Sequence, residues 1–276
     1  TYGFPLDLTR LIAEERKIAL DEEGYHQAME AQRAAGRAAW KGSGEQARLS
    51  IEGELVASSF EGYSLDESQE DIAGLFLEGA SKEALKEGQS GILLFENTPF
   101  YAEAGGQVGD QGIIKTKTGV FEVNDVQKGK ADSILHMGRV KSGVLTHGQS
   151  ASLVVDAQRR NRIRLNHTAT HLLHAALKKT LGEHVTQKGS LVDDERLRFA
   201  FPHHKPMTPA EIENVEHLVF EEILSNTALS TQLMELDEAV ASGAMALFGE
   251  KYAEKVRVVS IDTFSNELCG GTHVQA

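Results

Sequence analysis

The sequence predicts an α+β protein: an N-terminal helical segment, a small antiparallel β-barrel-like domain, and then a second α+β domain. Three observations predict it. Apolar residues recur at helical spacing over residues 9–40. Short β-prone runs with glycine-containing turns fill residues 48–155. Residues 156–276 mix strong helix signals with further β-prone runs. The boundaries are placed at 1–45, 46–155 and 156–276.

In the first segment Thr9 can cap a helix, and Leu11, Ile12, Ile18, Ala19, Tyr25, Ala28 and Met29 carry its apolar spacing. Lys41-Gly42-Ser43-Gly44 breaks it. In the second, strands are expected at Leu55–Phe60, Gly91–Glu96, Gly112–Lys117, Val120–Val126, Ser133–Val140 and Gln149–Val155, with a short helix inserted in residues 67–80. In the third, Asp156 opens a helix through Leu181. Thr208-Pro209 followed by Glu211 starts another, running to about Asn226: a capping residue, proline at the first helical position, and a nearby acid. Strands are expected at Leu197–Pro202, Ala228–Glu235 and Lys255–Asp262, and a helix at Asp237–Ala246.

Composition limits the function. Of 276 residues, 41% are hydrophobic and 25% charged, as in soluble globular proteins. No apolar run reaches the roughly 18 residues of a membrane-spanning helix, and no signal peptide opens the chain. The single cysteine, Cys269, cannot form an internal disulfide, so a reducing cytoplasm is expected, with Cys269 a free thiol or a metal ligand. Thr1 at the start, and a glycine-rich motif close to the end, read as internal points of a longer protein. The net charge of −13 argues against unspecific nucleic-acid binding. Yet Arg159, Arg160, Arg162 and Arg164 cluster locally, which suits either phosphate contact or a solvated mixed surface.

His167 and His171 lie four apart on the predicted helix and share a face, with His174 on the same stripe. Leu165, Ala169, Leu172, Leu173 and Ala176 gather opposite. Alone, that pair also fits a solvated polar face. Cys269-Gly270-Gly271-Thr272-His273 adds a thiolate and an imidazole, with two glycines that let the backbone turn both toward one ion. A His, His, Cys, His set suits zinc, whereas a buried inert thiol is the plain alternative for Cys269 taken by itself. Residues 98–107 hold Gly105 and Gly106, which permit close backbone approach, beside Glu103 and Gln107, which can bind a polar ligand; an ordinary turn accounts for them equally. The spacing is not that of a phosphate-binding loop, and no Ser/His/Asp arrangement stands out.

The stretch Asn166-His167-Thr168-Ala169-Thr170-His171-Leu172-Leu173-His174 resembles the first metal motif of alanyl-tRNA synthetase editing domains, and Leu268-Cys269-Gly270-Gly271-Thr272-His273-Val274 the second. Gln187-Lys188-Gly189-Ser190, residues 246–252, and Phe100-Tyr101 through Gly105-Gly106-Gln107 are also similar to that family, so the resemblance covers nearly the whole chain. Threonyl-tRNA synthetases and free-standing editing proteins carry related motifs. The Gly270-Gly271-Thr272 filling favours the alanyl family, and residues 1–9 resemble the end of its catalytic and tRNA-recognition region.

The resemblance implies proofreading: hydrolysis of Ser-tRNA(Ala) or Gly-tRNA(Ala), with zinc held by His167, His171, Cys269 and His273, and the remaining domains of a parent synthetase as partners. Gln187 is the candidate for a catalytic polar contact to substrate or water, and Arg159, Arg160, Arg162 and Arg164 for the tRNA backbone. A small activation pocket rejects serine weakly, which is the reason for a second, hydrolytic site. Four protein ligands make a closed zinc site, whereas catalytic sites keep an open position. A non-catalytic, zinc-stapled tRNA-binding module is therefore the rival reading. No segment is left over for an ATP pocket, so charging of tRNA by this chain is not expected.

Overall fold

The computed structural model describes residues 6, 9, 10, 13, 16–39, 51, 55–245 and 253–276. The chain divides into two compact units, Thr1–Arg48 and Leu49–Ala276, and each is described by itself.

In the first unit, helix α1 spans Glu22–Ala39. Asp21 caps it, accepting a hydrogen bond from the Gly24 amide at 2.9 Å, and Glu22 and Glu23 place negative charge at the positive end of its dipole. The expected continuous helix from residue 9 is thus interrupted. Leu6, Thr9, Arg10 and Ala13 are helical, but Arg16–Lys17 form a turn with Lys17 at φ 53°, and residues 18–21 are non-helical. The apolar period runs through this break because spacing carries no information about a single residue in the left-handed region. The Lys41–Gly44 breaker lies outside the described residues.

The second unit opens with eleven strands: β1 (Ser59–Phe60), β2 (Glu67–Asp71), β3 (Gly74–Leu77), β4 (Ala80–Ser81), β5 (Ala84–Lys86), β6 (Ser90–Leu94), β7 (Asn97–Thr98), β8 (Gly112–Thr116), β9 (Gly119–Lys128), β10 (Ile134–Thr146) and β11 (Ser150–Val155). Nine form one antiparallel sheet in the order β2-β11-β8-β9-β10-β6-β3-β4, with β5 paired to the far end of β10. β1 and β7 pair in parallel beside it. Leu75, Leu93, Ile114, Phe121, Val140, Leu145 and Leu153 from six strands meet in one buried cluster, so the sheet curls over a common core. It does not close into a barrel: β2 and β4 remain edges. Charged Glu67, Glu70 and Asp71 protect the β2 edge from further pairing. Residues 67–80 are strands rather than the expected helix. Pairing of β2 with β11 and of β3 with β6 outweighs the weak strand propensity of Glu67–Asp71.

Helix α2 (Ala157–Leu181) follows, capped by Asp156, whose side chain accepts from the Arg159 amide. Then come β12 (Gly189–Val192), β13 (Leu197–Ala200), α3 (Pro209–Ser225), β14 (Leu229–Glu235), α4 (Leu236–Ala241), β15 (Lys255–Ile261) and β16 (Ser265–Leu268). Thr208 and Glu211 make the expected reciprocal cap of α3, which ends with Asn226 in the left-handed conformation. Strands β12 and β13 pair as a small hairpin, and β14-β15-β16 form an antiparallel sheet. The apolar side of α2, including Leu172, Ala176 and Leu177, packs with Val215 of α3, Ile261 and Phe264. The fold is therefore α+β, and among the described residues no helix is long and apolar enough to cross a membrane.

The sheet core holds one fully buried imidazole. His136 Nδ1 lies 3.1 Å from the Leu93 carbonyl oxygen and Nε2 lies 2.7 Å from Thr98 Oγ1. A carbonyl only accepts, so Nδ1 carries the proton and Nε2 accepts from the Thr98 hydroxyl. Burial lowers the His136 pKa from 6.5 to about 4, the hydrogen bond to Leu93 opposing only in part. The ring stays neutral in the folded state and gains a proton on unfolding, so stability is lost as pH falls from about 6.5 toward about 4. The expected contribution is about 3 kcal/mol. Urea unfolding at pH 7 and pH 4 checks it: the native chain should lose that much more stability than His136→Gln, and equal losses would refute the assignment.

Candidate metal centre

The helical period puts His167 and His171 on one face of α2, and the chain after β16 brings Cys269 and His273 against it. One nitrogen or sulfur from each of the four lies within 4.8 Å of the others. Cys269 Sγ is 3.4 Å from His167 Nε2 and 3.3 Å from His273 Nε2. Ligands on a tetrahedral zinc stand about 3.3–3.6 Å apart, given Zn–N and Zn–S bond lengths of roughly 2.1 and 2.3 Å.

Each imidazole has its other nitrogen engaged. His167 Nδ1 donates to Gln107 Oε1 at 2.7 Å, His171 Nδ1 meets Glu267 Oε2 at 2.9 Å, and His273 Nδ1 meets Thr168 Oγ1 at 3.3 Å. His171 Nε2 is buried with no hydrogen-bond partner among the described residues. Three rings fixed through Nδ1, with Nε2 turned toward a thiol, form a donor set that fits zinc.

Electrostatics supports the same reading. Burial raises the Cys269 thiol, but the His167 and His273 rings override it and hold it well below its ordinary range, in the thiolate form that metals bind. Burial takes His273 down to about 3, against the opposing pull of the Cys269 sulfur. Burial also disfavours protonation of His171, but Glu267 and Cys269 outweigh it and lift the ring to about 10. Glu267 is held at about 2 against its own burial by His171 and His174. A cation held by these four residues would replace the His171 proton in compensating the buried negative groups.

The backbone around Cys269 is clamped. The Cys269 amide donates to the Arg257 carbonyl at 2.9 Å, extending the β15–β16 ladder. The Arg257 guanidinium donates to the carbonyls of Cys269 and Gly271, and the Tyr63 hydroxyl donates to that of Gly270 at 2.7 Å. The Arg257 guanidinium also lies over the Tyr63 ring, 4.3 Å from its centroid. Gln107 Oε1 accepts from the Thr272 amide at 2.9 Å, so one buried glutamine sets both His167 and the turn that bears His273.

Gly271 has no room for a side chain: an added Cβ would lie 2.0 Å from His167 Cε1 and 2.9 Å from Gln107 Oε1. At Gly270 the nearest atom, Tyr63 Oη, is 4.0 Å away. Gly271→Ala is therefore expected to displace the His167 ring and weaken zinc binding by about 10–100-fold, the range found when a ligand loses its support. Gly270→Ala should bind as the unaltered chain does. Competition with a chromophoric chelator measures both, and equal affinities in the two variants would refute the packing argument.

His167, His171 and Cys269 line a cavity of about 490 Å³ together with Tyr63, Tyr101, Gly105, Thr170, Gln187 and Ser190, among others. The sequence-predicted Gln187 thus reaches the cavity. Gly106, at φ 87°, packs where a Cβ would approach the Ser190 carbonyl to 2.8 Å, and its own carbonyl accepts from the Val192 amide. The glycine-rich turn thereby docks on β12, which forms part of the cavity wall. Gln107 faces inward on His167 and is wholly buried, so its side chain supports the cluster of donors. Glu103 bonds Gln127 Nε2.

The arginine cluster is brought together differently from the expectation. Arg160 is fully buried, with its guanidinium on both oxygens of Asp110 and on the carbonyls of Gly62 and Pro99, so it reaches no phosphate. Arg159 and Arg162 share Asp194, and Arg164 bonds Asp66. Arg162 alone of the four has a side chain more than half exposed. Charge counting along the sequence missed this because it does not see partners that lie 30 to 100 residues away. Glu267, Arg257 and Tyr63 were also missed, since none stands in a spacing that marks it.

Comparison with known proteins agrees with the geometry. A family model described as tRNA synthetases class II (A) matches residues 1–159, and one described as the threonyl and alanyl tRNA synthetase second additional domain matches residues 256–276. Over its whole length the chain is 47% identical to an alanine–tRNA ligase of Chelativorans sp. (strain BNC1) and 48% identical to one of Haemophilus influenzae, covering 33% and 31% of those proteins. The chain thus spans about a third of the length of the curated relatives it matches. With these matches and the motifs carried by the centre, the chain belongs to the alanyl-tRNA synthetases, within the class II (A) tRNA synthetase family.

Proposed function

We propose that this centre proofreads: it hydrolyses the ester that links a wrong amino acid, serine or glycine, to the 3′ end of an alanine-accepting tRNA. The observation that carries the reading is the convergence of His167, His171, Cys269 and His273 beside a cavity large enough for an aminoacylated nucleotide end. The relatives are alanine–tRNA ligases, and a pocket built for alanine discriminates poorly against an added hydroxyl or a missing methyl.

Zinc, when bound by the four, supplies a Lewis acid that polarises an ester carbonyl or acidifies a water. Gln187, on the cavity wall, carries an amide that donates and accepts, and it orients the amino acid or the attacking water. Lys128 and Lys255 are exposed and line the same cavity, which suits the phosphates of an incoming RNA end. Arg162, half exposed on α2, offers a further phosphate contact. A ligand thiolate belongs in the reducing cytoplasm, and the remaining domains of a full synthetase would supply the rest of the tRNA grip. A second reading, a zinc-stapled tRNA-binding module, has one observation in its favour: four protein donors leave a tetrahedral ion no open position.

The test is release of serine from Ser-tRNA(Ala) at high protein concentration, with and without a zinc chelator. Zinc-dependent release is expected, and Gln187→His should slow it at least about tenfold while the circular dichroism spectrum stays unchanged, the usual size of a lost positioning contact. Bound tRNA with no serine release would leave only the binding module. Wild-type rates in the variant would make Gln187 a bystander.

A further inference from the structure

A second cluster of imidazoles stands apart from the centre described above. His184 lies in the connection between α2 and β12, and His203 and His204 lie in the connection between β13 and α3. Each offers a ring nitrogen within 4.8 Å of the other two. His184 Nε2 and His203 Nδ1 are 2.9 Å apart, with the two rings stacked at 14°. The His204 ring centroid is 4.7 Å from that of His203 and 5.9 Å from that of His184. His203 Nε2 is shielded from water with no hydrogen-bond partner among the described residues.

We propose that His184, His203 and His204 form a second transition-metal site, independent of the cysteine-containing one and of the proofreading reading. A hydrogen bond between His184 and His203 uses one nitrogen of each and gives His204 nothing to do. A single cation accepts all three lone pairs at once. The neighbouring Lys205 and Glu211 are paired with each other, Nζ to Oε1 at 3.2 Å, and act on His203 with opposite signs.

The chemistry of the donor set names the ligand class. Three neutral imidazoles without a thiolate suit Zn(II), Ni(II) or Cu(II), with water in a remaining position. Two of the three rings are exposed and, among the described residues, no carboxylate hydrogen-bonds them, so the affinity is lower than at the first site. The consequence is mechanical. An ion here ties two connections together three residues before Gln187, and so steadies the segment that leads into β12 and its Ser190 on the cavity wall.

Titration of the whole chain with Co(II) tests this, because the two sites differ in colour. The first equivalent should give an intense sulfur-to-metal charge-transfer band. The second should add only weak ligand-field bands, since it has no thiolate. His204→Ala and His184→Ala, both at exposed positions, should each weaken the second equivalent at least tenfold and leave the charge-transfer band unchanged. In the unaltered chain, sub-stoichiometric Zn(II) above one equivalent should shift the ring resonances of His184, His203 and His204 together. Saturation at one equivalent, or a second equivalent that persists in His204→Ala, would overturn the proposal.

Discussion

Cys269→Ala is expected to abolish the thiolate-to-cobalt charge-transfer band and to weaken zinc binding by more than the roughly 10–100-fold lost when a supporting contact is removed. The sulfur lies within 3.4 Å of two imidazole nitrogens and is the only thiolate of the chain. Without it three imidazoles remain, two of them buried, and His171 keeps its Glu267 partner. The fold should survive: the clamp on this turn is made by Arg257 and Tyr63 through backbone carbonyls, which the substitution leaves in place. Hydrolysis of Ser-tRNA should fall with the metal. Metal content by mass spectrometry, read beside thermal unfolding, decides the matter, and full zinc occupancy in the variant would remove Cys269 from the ligand set.

The second large effect is on stability. Arg160→Met should cost about 3–5 kcal/mol, the penalty for stranding one partner of a buried ion pair. The Arg160 guanidinium is wholly enclosed, and its loss leaves Asp110 unpaired together with the carbonyls of Gly62 and Pro99. Asp110 also accepts from the Tyr101 amide at 2.6 Å, so the damage reaches the start of the glycine-rich segment. Arg160 precedes His167 by about two helical turns, and its contacts seat the start of α2 on the loops of the curled sheet. Denaturant unfolding measures the loss. Arg162→Met, whose side chain is half exposed, should change stability by less than about 1 kcal/mol. Similar values for the two variants would contradict the distinction drawn between them.

These two residues mark where local reading succeeds and where it stops. His167 and His171 were legible as a pair because i,i+4 spacing on a helix fixes their common face whatever surrounds it. Cys269 and His273 were legible because two glycines in a five-residue stretch allow a turn and because sulfur and imidazole share a metal preference. Helix α3 was legible from Thr208, Pro209 and Glu211, whose capping bonds all close within one turn. Strands β6, β8, β9, β11, β14 and β15 were each anticipated to within a few residues from apolar and β-branched runs.

The sequence by itself thus determined the helices with local caps, most of the strands, and the set of four side chains that the fold brings together. Tertiary structure alone decided that residues 67–80 are strands, that the sheet curls without closing, and that Arg160 is interior rather than at an RNA surface. It also decided which nitrogen of each ring faces the centre, through Gln107, 60 residues from His167, and Glu267, 96 residues from His171. The division has a physical reason. Capping and side-chain facing are set by dihedral angles within one or two turns, whereas burial, tautomer and charge pairing depend on groups that meet only after distant segments pack.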